Sequence, residues 1–189
     1  MAKKDSALGQ LLARFGPPPI WDRTPGFATL IQIVLEQQVS LASAKAVFQR
    51  LQQAVPQLTA DEFLKLNDQH LRQIGFSRQK THYGRNLARA VLSRQIDLVQ
   101  LSGLSDDEVR VKLQKITGIG RWTADIYLLM ALRRPDIWPQ GDLALVTALQ
   151  NVKKLKNKPT AGEFAQLGED WKPWRAVAAR ILWHYYLSD

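Results

Sequence analysis

The chain has 189 residues, enough for one domain with a full core or two small lobes, and too few for two independent domains. With 26 Lys and Arg against 17 Asp and Glu, its formal charge is +9 and its pI about 10.0, which favours a polyanionic partner over a neutral metabolite. The absence of cysteine excludes a disulfide framework, a zinc knuckle and an iron–sulfur cluster, and His70, His82 and His184 are too scattered for a metal site. The opening MAKKDSALGQ has no apolar leader and no apolar run approaches the roughly 18 residues of a membrane span, so an intracellular protein that does not enter membranes is expected.

In chain order, Pro17, Pro18 and Pro19 separate a first helix from the rest. Thr24 and Pro25 read as the cap and first residue of the next helix, with Phe27, Leu30, Ile31, Val34 and Leu35 on one face at 3.6-residue spacing. Ser40 caps another, whose stripe is Leu41, Ala44, Val47, Phe48 and Leu51. Thr59 with Glu62, Ser105 with Glu108 and Thr160 with Glu163 have the spacing of capping boxes. Gly75 reads as a helix stop, after which Ser77 starts a longer basic helix through Arg94. Pro135 and Pro139 bracket an irregular loop before Asp142, and the last helix begins near Lys172 and Arg175. No segment alternates in the manner of a strand, so the fold class is all-α, with about ten helices.

The segment KITGIGRWTA, residues 115–124, lies between two helical patterns, Val109 to Ile116 and Arg121 to Leu132. It reads as a helix–hairpin–helix over about residues 105–132, whose Thr117–Gly120 turn and following helix start offer backbone N–H groups to a phosphate. On that reading Gly118, Gly120, Arg121 and Thr123 contact the DNA backbone, which positions a protein without reading sequence. A tight interhelical turn that merely uses glycine fits the same residues. A dinucleotide fingerprint does not, because no strand precedes it and the third glycine is missing.

Twenty positions beyond Trp122 comes Asp142, in the loop Trp138-Pro139-Gln140-Gly141-Asp142. Hairpin, Gly/Pro loop and aspartate together resemble the helix–hairpin–helix superfamily of DNA base-excision glycosylases, and more closely its 3-methyladenine DNA glycosylase II branch. Three further segments carry the resemblance, which spans Phe27 to Tyr186: Leu35-Glu36-Gln37-Gln38-Val39-Ser40, Gly75-Phe76-Ser77-Arg78-Gln79-Lys80, and Trp171 to Arg175 with Ile181-Leu182-Trp183. It implies a compact two-lobed helical domain over residues 1–189, one lobe from the middle helices and one from the N- and C-terminal helices, with double-stranded DNA and a damaged base held in the cleft between them. Some larger relatives carry an extra N-terminal sheet domain; with only some twenty residues ahead of the first shared helix, the helical core alone is expected here. Thr117 stands where proline is common in the hairpin, a mild departure.

The implied reaction is hydrolysis of the N-glycosidic bond of an alkylated purine of the 3-methyladenine or 7-methylguanine type. Asp142 is the catalytic candidate, because a fixed carboxylate stabilises the oxocarbenium-like charge that builds on the sugar and can orient water. Asp142 is equally placed to cap a helix from Leu143 to Val152. The resemblance assigns Trp122 and Trp183 to the wall of a pocket where an indole face meets a cationic base, with ordinary core packing as the other reading. Gln37 and Gln38 fall in the turn that enters the DNA, Gln38 where some relatives carry leucine; an exposed polar turn is the plain reading. Lysine is absent where strand-cutting relatives form a Schiff base, the position here being Trp122, so a monofunctional glycosylase is expected.

Arg78, Lys80, Arg85 and Arg89 either track phosphates or are solvated. No cofactor is expected; a structural Na+ or K+ on the backbone carbonyls of Gln114, Ile116 and Ile119 is implied by the resemblance, and the expected state is a monomer. The alternatives are a non-catalytic helix–hairpin–helix DNA-binding protein, or the same fold acting on a mismatched, deaminated or oxidised base.

Overall fold

The structure, a computed structural model, describes residues 1–188. Among them are eleven α-helices, one short 3₁₀ turn and no strand: α1 Ser6–Phe15, α2 Phe27–Glu36, α3 Leu41–Ala54, α4 Ala60–Lys65, α5 Asp68–Ile74, α6 Arg78–Leu92, α7 Asp106–Gln114, α8 Arg121–Met130, α9 Leu143–Val152, α10 Ala161–Glu169 and α11 Arg175–Ser188. No described helix is long and apolar enough to cross a membrane. The chain divides into two compact units, one of residues 23–127 and one of residues 1–22 with 128–189, the boundary falling inside α8.

The middle unit is built on α2. Phe27, Leu30, Ile31, Ile33, Val34 and Leu35 are all buried, a wider belt than one amphipathic stripe, and α3 and α6 pack against the helix. Phe63 of α4 sits between Phe27 and Phe76, ring centroids 5.8 and 5.7 Å apart. Gly84 of α6 makes room for that ring, since a Cβ there would lie 2.7 Å from Phe63 Cζ.

The other unit packs α11 on α9 and α1. Trp138 stacks on Phe164 at 4.6 Å, meets Trp171 edge-on at 5.2 Å, and donates its indole N–H to the Phe164 carbonyl at 2.9 Å. Gly168 permits this, because a Cβ there would meet Trp138 Cδ1 at 2.7 Å. Asp5 caps α1, accepts from the Trp171 indole N–H at 2.9 Å and pairs with Lys153 at 2.7 Å. One carboxylate thus fastens the first helix to the C-terminal helices.

Several local expectations need correction. The second helix does not begin at a Thr24 cap: Gly26 is its N-cap, with no side-chain cap bond, and the Gly26 N–H donates to the Tyr127 hydroxyl at 3.0 Å. The Thr24 carbonyl instead accepts from the Thr29 hydroxyl. Thr59 accepts from the Glu62 amide, but Glu62 turns to Lys65 rather than back to the cap, so only the Ser105 and Thr160 boxes are reciprocal. The basic helix ends at Leu92, with Arg94 at φ 59° beyond it. Leu41, expected in a core stripe, is exposed in the first turn of α3.

Candidate functional site

The hairpin forms where the glycines predict it, with shifted edges: α7 runs Asp106–Gln114 and α8 Arg121–Met130, not Val109–Ile116 and Arg121–Leu132. Acidic Asp106, Asp107 and Glu108 extend the start of α7 toward Ser105, where negative side chains complement the helix dipole. Burial alone would lower the basicity of Arg110, but its bonds to Asp125 (Nε to Oδ1, 2.6 Å) and Asp107 outweigh that and hold the guanidinium above its ordinary value. Because Asp125 is fully buried in α8 and Arg110 projects from α7, this pair braces the two arms of the hairpin. Neither residue stood out in the sequence; the signal was an aspartate inside the apolar run of α8.

In the turn, the Ile119 N–H donates to the Ile116 carbonyl at 3.0 Å, and the α8 ladder begins with the Ala124 N–H on Gly120. Gly118 has φ 99°, and a Cβ there would lie 2.2 Å from the Tyr83 ring, so both its backbone conformation and its neighbour require glycine. Gly120 has open space around its missing Cβ, leaving room for a phosphate to approach the backbone. Arg121 is 57% exposed, with Nε 3.6 Å from Asp125 Oδ2. Trp122 is half-buried.

Thr123, expected at a phosphate, lies in the first turn of α8 with its side chain turned inward. It is 2% exposed, and its hydroxyl accepts from Gln37 Nε2 at 2.9 Å. The same Gln37 nitrogen donates to the Gly118 carbonyl at 2.9 Å. Gln37 is therefore engaged with the hairpin rather than presented to solvent. Gln38 is exposed at φ 56°, followed by exposed Val39 and Leu41.

Of the basic residues on α6, Arg85 is occupied by the Leu66 carbonyl and Asp68, while Arg78 and Arg89 are exposed. Lys80 donates to the Leu35 carbonyl at 2.6 Å, and burial pushes its ammonium below the ordinary lysine value. Lys172 pairs with Glu169, and Arg175 with Asp136 and Glu169.

Asp142 lies in the other unit and caps α9, whose observed span matches the expected Leu143 to Val152. The carboxylate is 8% exposed; its Oδ1 accepts from the Leu145 N–H at 2.9 Å and from the Trp183 indole N–H at 3.2 Å. Capping and burial hold this side chain in one rotamer, and α9 brings its positive end to it. Trp183 is 7% exposed and meets Trp21 edge-on at 6.5 Å. Leu143, immediately after the carboxylate, is 76% exposed although apolar. Trp21, at φ 49°, belongs to no motif in the sequence, where its one cue is its place just after the proline run.

A buried carboxylate fixed by an indole N–H, with aromatic rings beside it and an apolar residue open to solvent, is equipped to stabilise positive charge on an apolar-faced substrate. A glycine turn at a helix start is equipped to hold phosphate.

The chain is 28% identical over 180 residues to DNA-3-methyladenine glycosylase 1 of Schizosaccharomyces pombe, covering 93% of this chain and 79% of that one. It is 26% identical over 195 residues to a DNA-3-methyladenine glycosylase of Bacillus subtilis, covering 97% of this chain. It spans only 64% of that protein, and 61% of a second B. subtilis relative, YfjP. A solved structure of S. pombe 3-methyladenine DNA glycosylase in complex with abasic DNA superposes with a TM-score of 0.87 at 28% identity, over 95% of this chain and 89% of that one. With this fold and with residues 31–173 matching the family as a whole, the chain belongs to the HhH-GPD superfamily of base excision DNA repair proteins.

Proposed function

We propose that this protein is a monofunctional DNA glycosylase that hydrolyses the N-glycosidic bond of alkylated purines in double-stranded DNA, releasing the base and leaving an abasic site. The observation that carries the reading is Asp142: a buried carboxylate whose Oδ1 is held by the Leu145 amide and the Trp183 indole. Water adds to C1′ as the bond to the base nitrogen breaks, and the electron pair of that bond leaves with the base. An alkylated purine is already cationic and departs neutral, so no general acid is needed. Asp142 stabilises the positive sugar and orients the water, whose proton passes to the carboxylate or to solvent.

Trp183, with Trp21 beside it, is assigned to binding the cationic base; a cation over an indole gains roughly 0.5–2 kcal/mol. Gly118, Gly120 and Arg121 are assigned to the DNA backbone. Gln38, with exposed Val39 and Leu41 beside it, is assigned to the gap left by the extruded base. Extrusion costs a few kcal/mol, less for a damaged base, and a side chain filling the gap offsets part of it.

The similarity to DNA-3-methyladenine glycosylases of S. pombe and B. subtilis supports this assignment. Trp122, standing where a Schiff-base lysine would be required, supports hydrolysis without strand cutting. A Na+ or K+ at the hairpin would be held by the carbonyls of Gln114, Ile116 and Ile119. These are hard oxygen donors that fit such an ion, and Ile116 already shares its carbonyl with the Ile119 N–H. The protein is expected to act as a monomer wherever it meets DNA.

The test is release of free bases from methylated duplex DNA, followed by chromatography, for the native protein and Asp142→Asn at matched DNA affinity. Release by the native protein and near-loss in the variant is the expected result. Equal DNA binding with no base released by either protein would replace the reading with a DNA-binding module, and release of only a deaminated or oxidised base would change the lesion.

A further inference from the structure

Gln37 directly precedes the residue assigned to the gap in the DNA, yet its own side chain points to the hairpin. Its Nε2 donates twice, to the Gly118 carbonyl and to the Thr123 hydroxyl, each at 2.9 Å. Those partners lie on either side of Gly120 and Arg121, the residues assigned to phosphate. On the other flank, Lys80 donates to the Leu35 carbonyl at 2.6 Å and so holds the last turn of α2. Between these anchors the chain turns sharply: Gln37 is extended at φ −61°, ψ 123°, and Gln38 is left-handed at φ 56°. A non-glycine residue rarely adopts that conformation unless its surroundings impose it.

We infer that Gln37 is a positioning residue that locks the turn carrying Gln38 to the phosphate-binding hairpin, so that grip on the DNA backbone and insertion of Gln38 occur as one rigid step. The inference rests on the glycosylase reading and goes beyond it, since Gln37 touches neither base nor sugar on this view. One amide nitrogen with two acceptors on the facing turn fixes the distance between wedge and grip. Asparagine, one methylene shorter, cannot span the same gap, and leucine fills the space without donating.

The experiment compares native protein, Gln37→Leu and Gln37→Asn in two assays. The first follows insertion alone, using 2-aminopurine placed opposite a stable tetrahydrofuran abasic analogue in duplex DNA, and requires no bond cleavage. The second follows single-turnover release of 7-methylguanine from duplexes in which the lesion is paired with cytosine or faces an abasic analogue, where no partner has to be opened. Affinity for undamaged duplex is expected to stay within about threefold in both variants, because the hairpin's own donors remain. The insertion signal should fall at least about fivefold, and release from the paired lesion at least about tenfold, shrinking to less than threefold when the lesion faces an abasic analogue.

Equal losses on both lesions would mean a general structural defect and would overturn the inference, as would unchanged insertion in both variants. A native protein that inserts but releases no base would sink the glycosylase reading while leaving Gln37 testable by insertion. A native protein that shows no insertion signal would overturn the coupling itself. Thr123→Val serves as a second variant should Gln37→Leu fail to fold: it removes one of the two acceptors and is expected to give a smaller loss of the same pattern.

Discussion

Asp142 has two separable jobs, and replacing it by alanine or by asparagine tells them apart. Alanine removes the N-cap of α9 and leaves the buried Trp183 indole N–H without the acceptor it has at 3.2 Å. Loss of such a cap costs about 0.5–2 kcal/mol and a stranded buried donor about 1–3 kcal/mol, so Asp142→Ala is expected to lose about 2–4 kcal/mol. For a chain of this size that lowers Tm by roughly 5–15 °C. Asparagine keeps an oxygen at the Oδ1 position and caps about as well as aspartate. It trades a charged acceptor for a neutral one toward Trp183, at about 1 kcal/mol and a fall of a few degrees. Base release should drop at least about 100-fold in both, because each removes the negative charge that faces the developing cation. Thermal unfolding by circular dichroism and single-turnover release on the same preparations give the two readouts. If Asp142→Asn loses as much stability as Asp142→Ala, the acceptor argument is wrong; if it keeps native release, the charge argument is.

The two hairpin glycines should respond in opposite ways. Gly118→Ala places a Cβ at φ 99° and 2.2 Å from the Tyr83 ring, so about 2–5 kcal/mol of stability should be lost in urea unfolding, with Gly118→Ala/Tyr83→Ala recovering only the part due to contact. Gly120→Ala meets nothing and should leave stability within about 0.5 kcal/mol while weakening duplex binding in an anisotropy titration. Arg121→Ala should reduce the slope of log affinity against log salt by about one unit, and an unchanged slope would remove Arg121 from the phosphate contacts. Acid sensitivity should involve Asp5: burial alone would raise its pKa, but its bonds to Lys153, Trp171 and the Leu8 amide win and leave it below the ordinary 3.8. With the folded value depressed, the carboxylate's contribution is complete above 3.8 and is lost as pH falls through the lower folded value. Asp5→Asn should therefore show a flatter fall in Tm than the native protein below about pH 4, and parallel curves would refute the assignment.

Helix starts were legible in the sequence wherever a cap acts within its own turn, as with Ser40, Ser105, Asp142 and Thr160, because donor and acceptor lie three residues apart in the chain. The hairpin was legible for the same reason: glycine, turn and helix restart are local, and the family resemblance added Asp142 by its distance in sequence. The start of α2 was not legible, since Gly26 is held by the hydroxyl of Tyr127, more than a hundred residues away. Nor were the buried Arg110–Asp125 brace, the inward turn of Thr123, or the approach of Trp21 to Trp183. Spacing along a helix specifies which residues share a face, but not what arrives against that face. Which polar groups meet, which aspartate receives an indole N–H and which glutamine is drawn from solvent to a distant carbonyl are decided only when separate helices pack, because each such bond forms between groups the chain brings together from afar.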